Sequence, residues 1–202
     1  MLSKELAKAI NDQMVFEMYS AYVYLGLSAG LEKLKLPGAA HWMRMQAEEE
    51  LIHANLFYDY LNDQDAEVSL GAIDKVSSKV KTAKEAFELA LKHERLVTGR
   101  INQLCALAAK NNNYATLNYL NFFVGEQVQE EKSVQQIIDI SARHGRKVAV
   151  TGRSMINIVA AAVELGYMKV PAGVLIDISE IRQYRPDQLT LITTGSQGEP
   201  MS

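Results

Sequence analysis

Four long stretches of helical periodicity, joined by two short connections and a long central one, constrain this 202-residue chain more than any other feature. Apolar side chains at spacings of three and four residues predict helices over about residues 3–33, 39–62, 81–110 and 114–143. Each short connection makes an antiparallel hairpin, and the long connection can cross the length of a bundle. The sequence therefore predicts an all-α four-helix bundle with one long crossover.

Turn and cap residues mark the ends of these helices. Ser3 is a plausible N-cap, and Gly145 can serve as the C-cap of the last helix. Leu36-Pro37-Gly38 and Asn111-Asn112-Asn113 predict the two turns. We therefore expect the bundle to occupy residues 1–144.

The pattern changes after Gly145, where short apolar runs typical of buried strands replace the long helical stripes. These runs lie at residues 147–150, 174–178 and 189–193, with a helical stretch at 155–165. Residues 145–202 are therefore predicted to be a short α/β segment.

Each of the four helices carries a glutamate within its apolar stripe: Glu17, Glu50, Glu94 and Glu130. His53 follows Glu50 by one helical turn, which gives a Glu-x-x-His pattern. Counted from the turns at 1.5 Å per residue, the carboxylates of each hairpin lie within about a turn and a half of one level. The four helices thus bring their carboxylates to the middle of one bundle.

Four buried carboxylates repel one another and lose several kcal/mol of hydration each. No lysine or arginine lies beside them on these stripes, so two metal cations would compensate their charge. Oxygen ligands with one imidazole suit iron or manganese better than structural zinc. For any single glutamate a solvated helix face is the better interpretation, but five groups at one level favour a metal centre. Tyr24 fits a core tyrosine and a redox-active neighbour of the metals equally well.

Composition excludes several other classes of protein. A net charge of −3 and a pI near 5.8 indicate no nucleic-acid partner. The single cysteine, Cys105, excludes an internal disulfide and is expected to be a small buried hydrophobic residue. No apolar run approaches the ~18 residues of a membrane span, and the N-terminus has no signal core. We therefore expect a cytoplasmic protein without a membrane partner.

The motifs that carry these side chains resemble those of bacterial non-haem ferritins over residues 1 to about 140. They are Asn11-Asp-Gln-Met-Val-Phe-Glu-Met-Tyr-Ser20 with Tyr24, Gln46-Ala-Glu-Glu-Glu-Leu-Ile-His53, Lys92-His-Glu94, and Asn118 to Glu131. The predicted bundle is also the ferritin-like arrangement of two hairpins and one long crossover.

The resemblance implies a di-iron ferroxidase and iron-storage subunit. Glu17, Glu50 and His53 would ligate one iron, and Glu50 would bridge to a second iron. That second iron would be held by Glu94 and Glu130, with Gln127 close to the pair. Dioxygen or hydrogen peroxide would oxidise ferrous to ferric iron for a mineral inside a homo-oligomeric cage of 24 subunits. Catalytic roles would fall to Tyr24 and Gln127.

Three departures from related patterns refine this expectation. Glu49 and Glu126 match a neighbouring third iron site, but Gln129 replaces a glutamate common in relatives, which predicts a weaker or absent site. Leu51 stands where bacterioferritins have their haem-ligating methionine, so no haem is expected. A single cysteine also excludes the four-thiolate iron site of rubrerythrins.

Residues 145–202 resemble an internal piece of ribonuclease J from its beta-CASP region. The carrying motifs are Gly145 to Met155, Gly173 to Ile178 and Ile192 to Ser202, and the join is expected between about 132 and 140. The His-x-His-x-Asp-His metal motif of that nuclease family is missing. We therefore expect a remnant without nuclease activity, standing where ferritins have a short fifth helix.

Two other functions compete with ferroxidase and storage. A di-iron peroxidase or oxygen scavenger without mineral storage would use the same residues, with the tail opposing cage assembly. An RNA-associated protein would use a small basic cluster of Arg143, Arg146, Lys147 and Arg153, for which a solvated helix end is the better interpretation.

Overall fold

The computed structural model describes residues 2–144, and these form the predicted all-α bundle. The strands and helix predicted after residue 144, the cap at Gly145 and most of the basic cluster lie outside the described residues. Within residues 2–144 every regular element is a helix: α1 Lys4–Lys33, α2 Pro37–Asp63, α3 Ala83–Lys110 and α4 Tyr114–His144.

Capping chemistry explains where the helices begin. The Ser3 side chain accepts a hydrogen bond from the Leu6 amide, as predicted for an N-cap. The second helix begins at Pro37, two residues earlier than expected. Proline has no backbone N–H, but the N–H groups of a first helical turn have no partner within the helix, so proline is well tolerated there. The third begins at Ala83, two residues later than expected, because the Thr82 hydroxyl accepts from the Glu85 amide.

The helices pack as two hairpins, α1 with α2 and α3 with α4, and α1 also contacts α3. Residues 64–82 form the crossover and contain no helix or strand. Asn11 binds this segment to α1, donating to the Ser69 carbonyl oxygen at 2.9 Å and accepting from the Ser69 amide at 2.8 Å. One crossover between two hairpins is the connectivity that the sequence predicts.

The predicted inward faces form the core. Leu6, Ile10 and Met14 of α1 are fully buried, and they belong to one apolar cluster with side chains of the other three helices. Two expectations were wrong in detail. Ala83, which the spacing of apolar residues places on the inward face of the third helix, is only half-buried because it lies in the first turn of that helix. Cys105 is also half-buried, since it packs at the margin of the core cluster.

In the described part of the chain, no helix is long and apolar enough to cross a membrane.

Candidate metal centre

Each helix of the bundle contributes at least one almost completely buried glutamate, and four of these form a cluster. The exposed fractions are 1% for Glu17, 3% for Glu50, 1% for Glu94 and 2% for Glu130. Their spacing within the apolar stripes places them on the core faces, where large apolar side chains exclude water above and below. The charges of the other glutamates raise the pKa of Glu50 and of Glu94, so the four carboxyl groups lie close enough to act as one cluster.

Two neighbouring side chains fix the Glu94 carboxylate. The Tyr24 hydroxyl donates to Glu94 Oε1 from α1. The Gln127 amide donates from α4 to Glu94 Oε2 at 3.1 Å and to the Glu94 carbonyl oxygen at 3.2 Å. Both residues predicted to be catalytic therefore contact the same predicted iron ligand.

Amide donors also hold two other carboxylates. Gln46 Nε2 donates to Glu130 Oε2 at 3.0 Å, between α2 and α4. Gln13 Nε2 donates to Glu17 Oε1 at 2.7 Å within α1. Amide donors hold a carboxylate in place without neutralising its charge, so these glutamates keep their affinity for a cation.

Three buried atoms of this cluster have no hydrogen-bond partner: Glu17 Oε2, Glu50 Oε2 and His53 Nε2. His53 Nδ1 lies 3.5 Å from Glu50 Oε2, which is too long for a good hydrogen bond. The Glu17 and Glu50 carboxyl groups also lie close enough to interact with each other. Leaving such atoms buried and unpaired is costly, and metal coordination would satisfy all three. Two carboxylate oxygens and one imidazole nitrogen are a donor set that fits iron.

Burial and mutual repulsion make these carboxyl groups weak acids when they carry no cation. Burial first, and then the Glu130 charge, raise the pKa of Glu94 to about 8. The pKa of Glu50 is raised well above its ordinary value, first by burial and then by the Glu94, Glu17 and Glu130 charges. Burial also raises the pKa of Glu17, against the opposing effect of His53. A bound cation would reverse these shifts and release protons.

A second group of ligands lies beside the first. Ligand atoms of Glu49, His53 and Glu126 all lie within 4.8 Å of one another. Glu49 and His53 are buried, whereas Glu126 is half-buried. The three groups come together without Gln129, the residue whose identity led us to expect a weak third site. His53 is common to this group and to the predicted ligands of the first iron.

Sequence reasoning assigned no role to Gln13, Gln46 and Arg100. Gln13 and Gln46 are 1% and 2% exposed, and each precedes a predicted ligand, Glu17 or Glu50, by four residues. A glutamine one helical turn before a core glutamate was the signal that could have identified them. No local sequence pattern marks Arg100, because its contacts with α1 depend on how α3 packs against that helix.

Comparison with protein families divides the chain into two overlapping matches. The ferritin-like domain matches residues 7–143. The ribonuclease J beta-CASP domain matches residues 127–202. Both resemblances predicted from the motifs are therefore confirmed, and the overlap at 127–143 contains the interval expected for the join.

Individual relatives agree with the first match. The chain is 37% identical over 145 residues to the bacterial non-heme ferritin of Staphylococcus haemolyticus, which covers 72% of this chain and 87% of the relative. It is 34% identical over 154 residues to the same type of protein from Escherichia coli O6:H1, covering 76% and 89%. Among solved structures, an open-pore ferritin from the hyperthermophilic archaeon Archaeoglobus fulgidus is similar, with a TM-score of 0.71 and 32% identity. That similarity covers 84% of this chain and 100% of the archaeal chain.

Proposed function

This chain belongs to the ferritin family, and from that premise we propose that it oxidises Fe(II) at a two-iron centre in its bundle core. Iron storage and iron oxidation are its function at the general level that family membership supports.

The observation that carries the proposal is the set of partnerless buried atoms on Glu17, Glu50 and His53. In our proposal these three residues bind one ferrous ion. Glu50 also binds the second ferrous ion, together with Glu94 and Glu130. Gln127 and Tyr24 hold Glu94 by hydrogen bonds and so fix the second position.

Both ions are substrates of the reaction. Two Fe(II) ions each give one electron to dioxygen, which takes up two protons and becomes hydrogen peroxide. The ligand carboxylates stabilise the Fe(III) product more strongly than Fe(II), because electrostatic attraction grows with the charge of the ion. The apolar layers above and below the cluster limit access of bulk water.

We further propose that Glu49, His53 and Glu126 hold a third iron next to the pair. Their ligand atoms lie close enough together to share one ion. Since Glu126 is half-buried, this position would lie between the core and the surface of the bundle, and ferric iron would leave the two-iron centre through it.

Anaerobic titration with ferrous iron tests the two-iron centre. The wild-type protein should bind two tight irons per subunit in the core, and Glu50→Gln should lose both because Glu50 is shared. The matched control is Glu48→Gln, which changes an exposed glutamate two residues away on the same helix. Equal binding by Glu50→Gln and the control would overturn the proposal.

Assembly and storage are proposed by similarity. We propose a homo-oligomeric cage, and a particle of several hundred kDa would support it. The relatives, which are named as ferritins, do not favour the alternative of a peroxidase or oxygen scavenger that stores no mineral. A dimeric particle that consumes peroxide without retaining ferric iron would instead support that alternative.

Cytoplasmic location stays a prediction, as does the lack of nuclease activity in residues 145–202.

A further inference from the structure

Arg100 extends from α3 to α1 and binds there in three ways. Its Nε donates to Gln13 Oε1 at 2.7 Å, and Nη2 donates to the Asp12 carbonyl oxygen at 3.1 Å. Its guanidinium carbon lies 4.0 Å from the centroid of the Phe16 ring, a cation–π contact. These contacts leave the arginine little freedom to rotate.

The first of these bonds determines how the Gln13 amide is oriented. Because Gln13 Oε1 accepts from Arg100, the NH₂ group of the amide must face the other way, toward Glu17. Gln13 Nε2 donates there to Glu17 Oε1 at 2.7 Å. The opposite amide orientation would place an oxygen against the carboxylate and a donor against the guanidinium, which is unfavourable on both sides.

The orientation of Gln13 in turn determines which Glu17 oxygen is available. Oε1 is occupied by the amide, while Oε2 is buried and has no hydrogen-bond partner. Oε2 is therefore the atom that Glu17 can offer to a cation. The bridging amide also matters electrostatically, since an arginine paired directly with Glu17 would compete with the metal for the carboxylate.

We propose that Arg100 is a positioning residue, acting through Gln13 to present Glu17 Oε2 to iron. This inference rests on the proposed two-iron centre, and it assigns a role to a residue more than eighty positions from the one it orients. Arg100 itself does not touch the metal.

Anaerobic titration with cobalt(II), followed by its visible absorption, measures the role without turnover. Without Arg100 the Gln13 amide is free to rotate, and its hydrogen bond to Glu17 is lost. Loss of a hydrogen bond to a metal ligand weakens metal binding by about 10-fold or more. Arg100→Gln should therefore weaken one of the two cobalt sites by about tenfold and change the absorption of that site. The control Lys84→Gln removes a cation from an exposed position on the same helix and should change neither.

A double-variant cycle separates positioning from a general effect of charge. Gln13→Leu interrupts the connection between Arg100 and Glu17, so adding Arg100→Gln to it should cause no further weakening. A tenfold effect of Arg100→Gln that persists in the Gln13→Leu protein would overturn the inference. Unchanged cobalt affinity in Arg100→Gln alone would overturn it as well.

Arg100→Lys covers the case in which Arg100→Gln fails to fold. Lysine keeps one charged donor within reach of Gln13 Oε1, and we expect its cobalt affinity to lie between those of wild type and Arg100→Gln. If Arg100→Lys binds cobalt at both sites as tightly as wild type, the two hydrogen bonds from Arg100 to Gln13 and Asp12 are not needed, which would contradict the inference. Failure of the wild-type protein to bind two cobalt ions would instead reject the proposed function itself.

Discussion

At the residue scale, the candidate centre depends on carboxyl groups that the fold makes hard to ionise. Burial is the largest cause of the raised pKa of Glu17, Glu50 and Glu94, and neighbouring carboxylates add to it for Glu50 and Glu94. Hydrogen bonds from Tyr24 and Gln127 lower the pKa of Glu94, but less than burial raises it. The metal-free centre therefore opposes folding at neutral pH, and a bound cation would remove that penalty.

This penalty predicts an unusual pH dependence for the metal-free protein. Below the ordinary pKa of 4.5, Glu94 is protonated in both the folded and unfolded states. Between pH 4.5 and about 8 the unfolded chain loses this proton first, so the contribution of Glu94 to the free energy of unfolding should fall as pH rises. We expect a loss of a few kcal/mol, measured by denaturant titration with a chelator present.

Substitution locates the source of this dependence. Glu94→Gln should reduce the loss between pH 4.5 and 8, because a neutral amide cannot titrate. Glu88→Gln, an exposed position on the same helix, should leave it unchanged. An equal change in wild type and Glu94→Gln between pH 4.5 and 8 would contradict the assignment.

Tyr24 is predicted to act on both iron binding and the reaction. Tyr24→Phe removes the hydroxyl that donates to Glu94 Oε1 but keeps the aromatic core packing. We expect the second iron to bind about 10-fold more weakly and the first oxidation turnover at saturating iron to slow several-fold, measured by stopped-flow absorption. The control is Tyr22→Phe, at a tyrosine of the same helix that is 52% exposed. An oxidation rate equal to wild type would leave Tyr24 as a core residue only.

At the element scale, the position of the crossover depends on two glycines of α1, Gly26 and Gly30, which have no side chain to separate the two segments. A Cβ added to Gly30 would lie 2.5 Å from the Ser78 carbonyl oxygen and 2.6 Å from Val80 Cγ2. A Cβ at Gly26 would lie 2.9 Å from the Ser77 carbonyl oxygen. These glycines, spaced one turn apart, let the crossover lie directly on α1, which also contributes Glu17 and Tyr24 to the centre.

Gly30→Ala should therefore destabilise the protein. The new methyl group meets backbone that cannot move alone, and overpacking of this kind costs about 1–3 kcal/mol. Gly99→Ala, where a Cβ has no neighbour within 4 Å, should instead stabilise α3 by about 0.5–1 kcal/mol. Thermal unfolding of both variants measures the difference. A Gly30→Ala protein as stable as Gly99→Ala would show that the crossover is not held against α1.

At the scale of the whole molecule, the chain joins a ferritin-like region to a segment matching part of a different family. All predicted ligands lie between Glu17 and Glu130, within the described bundle. Apolar packing among the four helices supplies their environment.

A variant ending at residue 144 should therefore keep the centre. We expect helical content and the binding of two ferrous irons per subunit to match those of the full chain, measured by circular dichroism and anaerobic titration. Loss of either would show that residues 145–202 support the bundle. The particle mass of the two proteins, measured by light scattering, would show whether the segment limits assembly.

The sequence alone determined the four helices, their hairpin connectivity and the burial of Glu17, Glu50, Glu94 and Glu130, at least one glutamate per helix. These features follow from periodicity and rise per residue, which are local properties of the chain. Only the tertiary structure decided which atoms of the cluster pair with one another. The bonds from Tyr24 to Glu94, Gln46 to Glu130 and Arg100 to Gln13 join residues 70, 84 and 87 positions apart. Their geometry depends on how the helices pack and which rotamers fit between them, and no local pattern encodes that.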